Sequence, residues 1–131
     1  MTTFTIPGKP FAKQRPRFSR ATGRTYTPEA TVSFERVVGQ IAVDHFPEPI
    51  TGPVRLQVWA TFAPAASWSK RKTAEHINRP HTHKPDADNI SKAIKDALNR
   101  IAWADDSQVA ELVVRKVWGP VPQTVVTVEA L

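Results

Sequence analysis

Two segments of the chain repeat their apolar positions at three- and four-residue spacing. In the first, Ala30, Phe34, Val37, Val38, Ile41 and Ala42 form one stripe. Thr27, Pro28 and Glu29 precede it as a hydroxyl cap, a proline at the first helical position and an acid in the first turn, so a helix is expected from there to about His45. Pro47 and Pro49 stop it. In the second, Ile90, Ala93, Ile94, Ala97, Leu98 and Ile101 predict a helix over Asn89 to Ile101, capped by Asp88 or Asn89. Other segments read as strands. Thr2 to Ile6 is a short one ended by Pro7-Gly8. Val54, Leu56, Val58 and Ala60 alternate with Arg55, Gln57 and Trp59, the period of a strand packed on one face, and Pro64 ends it. Val109 to Trp118 and Thr124 to Leu131 are rich in valine, and the simplest connection through Gly119, Pro120 and Pro122 is an antiparallel pair. Lys9 to Tyr26 has no period and reads as a loop or a ragged hairpin turning near Gly23, and Ala65 to Pro85 as a long loop with at most one helical turn. The expected order is β-α-β-α-β-β: an α/β chain of the α+β type with a mixed sheet and two helices. At 131 residues it makes a single domain, 1–131.

Composition narrows the class. Apolar residues are 40% and charged residues 23%, as in ordinary globular chains. There is no cysteine, which excludes disulfides and thiolate chemistry and accords with a reducing compartment. No apolar run is long enough for a signal sequence or a membrane span, so a cytoplasmic protein with no membrane partner is expected. Eighteen Lys and Arg against 12 Asp and Glu give a net charge of +6 and favour a polyanionic partner. The charges are segregated. Lys9, Lys13, Arg15, Arg17, Arg20 and Arg24 fall in an acid-free stretch of 28 residues, whereas five of the 12 acids lie between Asp86 and Asp106. The first pattern suits a phosphate backbone, and the second, which would repel that backbone, suits a bound cation.

The segment from Lys84 to Lys92 carries the chemistry. If the approach to the helix is extended, Asp86 and Asp88 point the same way, and Lys92 stands one turn beyond Asp88. Two carboxylates and an ammonium at a helix start suit Mg²⁺ or Mn²⁺ acting on a phosphodiester, with Lys92 balancing developing charge. Hydrolytic sites often use three or more acids, and Asp105 and Asp106 are the reserve. A helix of about 13 residues is roughly 20 Å long, and the linker to Asp106 spans at most about 17 Å. Asp106 therefore returns only if the linker doubles back, the helix ends early, or a second subunit supplies it. Read singly, these residues are plain: a cap, a surface ion pair, a turn. Their convergence without a cation would cost stability.

Asp86-Ala-Asp88-Asn89, Lys92, Asp96-Ala-Leu98, Trp103, Asp105-Asp106 and Gln108-Val109 together resemble the RusA family of Holliday junction resolvases, found in phages and prophages, as does the opening Ile6-Pro-Gly-Lys-Pro10 with Lys13-Gln-Arg-Pro-Arg17. The resemblance implies a Mg²⁺- or Mn²⁺-dependent homodimer that nicks four-way DNA junctions in recombination and repair. Its catalytic acids map onto Asp86, Asp88 and Asp106, its essential lysine onto Lys92, and Asp105 becomes an auxiliary metal ligand. Two symmetric cuts suit a twofold dimer. DNA contacts are expected from Lys9, Lys13, Arg15, Arg17, Arg20 and Arg24, and from Lys70, Arg71, Lys72 and Lys84 in the long loop. His81 and His83 have spacing seen in zinc sites, but a phosphate-facing or solvent role suits them better. Trp103 is expected in the core, with insertion into a junction as the alternative. Two rival functions use the same residues: a non-catalytic module for branched DNA, in which the acids brace the helix, and a small metal-dependent nucleotide phosphohydrolase, which has no use for the basic arm.

Overall fold

The alternating segment around Val54 becomes one of the two inner strands of the main sheet. In a computed structural model, which describes residues 1–14 and 17–131, β4 (Val54–Phe62) turns Val54, Leu56, Val58, Ala60 and Phe62 into the core. The other strands are β1 (Thr2–Pro7), the short pair β2 (Arg17–Ser19) and β3 (Arg24–Tyr26), β5 (Val109–Trp118) and β6 (Gln123–Ala130). The helices are α1 (Glu29–Val43), α2 (Lys70–His76) and α3 (Ala87–Leu98). The main sheet has the order β1-β6-β4-β5 and is mixed, with β4 and β5 parallel and the other neighbours antiparallel. The α/β class therefore holds.

The expected pairing of the last two strands does not. β4 lies between them, and the linker Gly119–Pro122 crosses the end of β4, where the Gly119 amide donates to the Phe62 carbonyl at 3.0 Å. Two strand spacings are about 10 Å, within reach of four extended residues. Pro120 and Pro122 suit such a crossing better than a tight hairpin. Parallel β4 and β5 in turn require a long crossover, which α2 and α3 supply.

The helices differ from expectation at their ends. α1 begins one residue late, with Pro28 at the cap and no side-chain cap bond, so Thr27 does not cap it. The Pro28 carbonyl already accepts from the Thr31 and Val32 amides. The long loop contains two turns of helix in α2, started by Ser69, whose hydroxyl accepts from the Lys72 amide. β2 and β3 form the expected hairpin, and Gly23 supplies the left-handed residue of its turn at φ +68°. α3 buries Ile90, Ala93, Ile94, Ala97 and Leu98, the predicted stripe short of Ile101. Each large aliphatic there contributes about 1.5–3 kcal/mol by leaving water. On the other face of the sheet Trp59 and Val113 are about half exposed.

Candidate active site

α3 starts earlier than its apolar stripe. Asp86 takes the cap position with extended backbone (φ −71°, ψ 148°), so Ala87 and Asp88 are already helical. Asp86 and Asp88 therefore do not share a face by strand alternation. They meet as a helix cap and a first-turn residue, where the free amides favour anionic groups. Both are exposed, and among the described residues no hydrogen bond or ion pair engages either carboxylate, Asp86 making no cap bond of its own. The approach contains a cis Lys84–Pro85 peptide, and the Lys13 amide donates to the Asn89 carbonyl at 3.0 Å. That bond lays the stretch from Lys9 to Gln14 against Pro85, where they line a shallow pocket beside the helix head.

Lys92 bonds Asp96 at 2.8 Å, so its ammonium faces down the helix and not toward Asp88. Asp96 also meets Lys13 at 3.0 Å, and Lys13 meets Glu35 at 3.1 Å. Burial favours the neutral form of Asp96, but the bonds and charges of Lys92 and Lys13 outweigh it and hold the carboxyl below its ordinary range. Burial likewise opposes the charge on Lys13, and Asp96 and Glu35 overcome it and raise the ammonium above its usual value. Lys13 is thus a brace between the arm, α1 and α3. Asp96, which went unassigned, is its anchor. The spacing Lys92 to Asp96, one helical turn, was the available signal.

Asp106 lies at the opposite end of α3. The helix does end early, at Leu98, but the chain does not double back. Asn99 caps it, Arg100 turns at φ +71° with its amide donating to the Trp103 carbonyl, and Ala102 accepts from the Ile50 amide. Trp103 is fully buried, which removes it as a wedge, and its indole N–H donates to Asp106 Oδ1 at 2.9 Å. Asp105 caps the single 3-10 turn Asp106–Gln108 in a capping box with Gln108, and its bonds from Ser107 hold it below the ordinary carboxylate range. Gln108 also donates to the carbonyls of Ile50 and Gly52, latching the turn to the strand entrance. Among the described residues no three His, Asp or Glu side chains are close enough to hold one metal ion. Asp86 and Asp88 suit a hard divalent cation, which takes two carboxylates and keeps several waters. A third ligand from the same chain would have to cover the length of α3, about 18 Å.

Basic groups flank the acid pair. Lys9, Arg20, Arg24 and Lys84 are exposed, Arg17 opens β2, and Arg15 lies outside the described residues. Lys70, Arg71 and Lys72 occupy the first turn of α2, where cations oppose the helix dipole. Lys72 lies 4.3 Å from the Trp68 ring, and Trp68, His76, Trp118, His81 and His83 form one aromatic cluster leading to Lys84. His81 is neither a phosphate contact nor solvated. It is buried, stacked on Phe62 at 3.8 Å, and burial with the nearby charge of Lys116 pushes its pKa down to about 4. His83 is exposed, and its carbonyl accepts from Lys116.

Comparison with known proteins gives two findings. A family model described as Endodeoxyribonuclease RusA matches residues 7–129. A Bacillus subtilis (strain 168) protein described as "Uncharacterized protein YqaN" is 38% identical over 133 residues, spanning 95% of this chain and 93% of that protein.

Proposed function

The chain belongs to the RusA family of endodeoxyribonucleases, and from that premise we propose that it is a Mg²⁺- or Mn²⁺-dependent nuclease that resolves four-way DNA junctions by paired symmetric nicks, acting as a homodimer in recombination and repair. The observation that carries this reading is the exposed, unengaged carboxylate pair at the head of α3, set beside the basic arm. A cationic surface with two uncompensated acids at its centre repels the phosphate it attracts unless a cation joins them.

Asp86 and Asp88 would hold the metal, with Asp106 and the auxiliary Asp105 as further acids. When bound, the cation would lower the pKa of water and polarise the phosphoryl oxygen. The chain supplies the rest. Lys9, Arg20, Arg24, Lys84 and the α2 cations hold the backbone, as would Arg15 and Arg17. Lys92 leaves Asp96 to offset charge developing on the phosphate, at the cost of one exposed ion pair, a small term.

The test separates catalysis from binding. Asp88→Asn is expected to abolish nicking of a synthetic junction while leaving junction affinity unchanged or improved, since a repulsive charge is removed. Undiminished cutting would remove Asp88 from the site. Shortening the arm between Lys9 and Arg24 is expected to weaken junction binding, whereas a nucleotide phosphohydrolase would keep its full activity.

A further inference from the structure

The helices pack on one face of the main sheet, and the other face carries an aromatic ring left half in water. Alternation along β4 sends Gln57, Trp59 and Thr61 away from the core. Trp59 stands in the middle of the sheet, between Val125 of β6 and Arg115 of β5, yet 46% of its surface is exposed. The Arg115 guanidinium lies over the ring, 5.0 Å from its centre, and among the described residues it makes no ion pair. Three shallow depressions meet at Trp59. One runs toward Gln57, Val113 and Thr127, one toward Val117 and Gln123, and one toward Asn78 and Pro80. Charge is graded along the face. At the end where β4 begins, Arg55 holds both Glu111 and Glu129. The depressions around Trp59 are lined by Arg115 and Lys116 and by no acid, with exposed Arg79 beside them.

We propose that this face binds single-stranded DNA, with an unstacked base on the exposed Trp59 indole and the adjoining phosphate on Arg115. An exposed indole with a guanidinium over it offers stacking and charge together, which is what an unpaired nucleotide takes up. A duplex keeps its base faces inside the stack, so the partner is a single strand. Arg115 can remain over the ring while its planar fork meets phosphate oxygens, because stacking and hydrogen bonding use different parts of the guanidinium. Gln57, Thr127, Asn78 and Gln123 surround the ring with neutral donors and acceptors that suit base edges. The glutamates at the start of β4 repel a phosphate chain, so the strand is steered toward Arg79 and Lys116. At that end Trp118, His81 and His83 lead around the sheet to Lys84. A second copy is a poorer occupant, since docking on the same patch about Trp59 sets cation against cation with no acid to meet them. The site lies on the sheet face opposite α3 and its acids. It goes beyond the nuclease reading and does not depend on it, although an enzyme for branched DNA would use it to hold a strand freed from pairing.

Binding is measured on the full chain with a short oligothymidylate in the presence of chelator, so that nothing is cut. Stacking a base on an exposed indole quenches it, and the oligomer is expected to lower the emission of the wild-type protein. Trp59→Phe keeps a stacking ring and is expected to retain affinity while losing the quench. Trp59→Ala is expected to bind about tenfold more weakly. Arg115→Gln should also weaken binding and reduce the slope of log affinity against log salt by about 0.7, the share of one single-strand phosphate. An abasic deoxyribose phosphate oligomer of the same length carries the charge without the bases, and is expected to bind about tenfold more weakly than oligothymidylate. Equal affinity for the two oligomers overturns the site, as does a quench that survives in Trp59→Phe or an affinity that Trp59→Ala leaves unchanged. Should Trp59→Ala unfold, the abasic comparison decides alone, since it uses the wild-type chain. A Trp59→Ala chain that sediments as a smaller species yet binds oligothymidylate as before assigns the face to a second copy and overturns the proposal. Cleavage enters none of these readouts, so failure here leaves the nuclease reading standing, and an inactive protein that still binds through Trp59 removes that reading alone.

Discussion

Asp96 accepts from two lysines, and its loss returns exposed Lys92 to solvent and leaves Lys13 with a single partner. Asp96→Asn is expected to lower stability by about 1–3 kcal/mol in urea unfolding, because Lys13 is largely buried and keeps only Glu35. Because the folded pKa of Asp96 is depressed, its contribution is complete above about pH 4 and is lost as pH falls through the folded value. His81 acts in a different window. Its folded pKa of about 4 lies below the ordinary value of 6.5, so the unfolded chain takes up a proton that the folded one refuses. Stability should be level above about pH 6.5 and decline between there and pH 4, by at most about 3 kcal/mol. His81→Phe should flatten that decline in urea midpoints measured at pH 7.5 and 5. At this scale the sequence exposed the acids and hid their partners. Asp86 and Asp88 stand out by type and spacing, whereas the burial of His81 and the bracing of Lys13 depend on contacts more than 18 residues away in the chain.

α2 is the element whose charge works against its own helix. Replacing Lys70, Arg71 and Lys72 by alanine removes cations from the wrong end of the dipole, so the fold should be undisturbed. Junction affinity should fall, and the slope of log affinity against log salt should flatten by up to about 3. An unaltered slope would place α2 outside the DNA interface. α3 was legible because six apolar residues at helical spacing leave one solution. Its ends shifted by two or three residues, since Ala87 and Asp88 carry no periodic signal and the positive φ of Arg100 is not written in its type. Strand neighbours were not legible. β5 and β6 are both rich in valine, and nothing local says that β4 lies between them. That order decides which edge is open.

For the molecule as a whole, basic groups collect in an arm, which packs beside the head of α3 and its acid pair, and in the first turn of α2. The family match over residues 7–129 accords with a polyanionic partner for such a chain. Segregation of charge was visible in the sequence. The distance from Asp106 to the other acids was bounded by helix length and linker reach, and the fold takes the course in which one chain does not close it. The central claim, a metal-dependent nuclease selective for branched DNA, is tested most directly by offering the protein a synthetic four-way junction and the matched linear duplex, with Mg²⁺, Mn²⁺ or chelator. The account predicts paired symmetric nicks in the junction alone, with either metal and never with chelator. Equal cutting of the linear duplex, or cutting that survives the chelator, would contradict it.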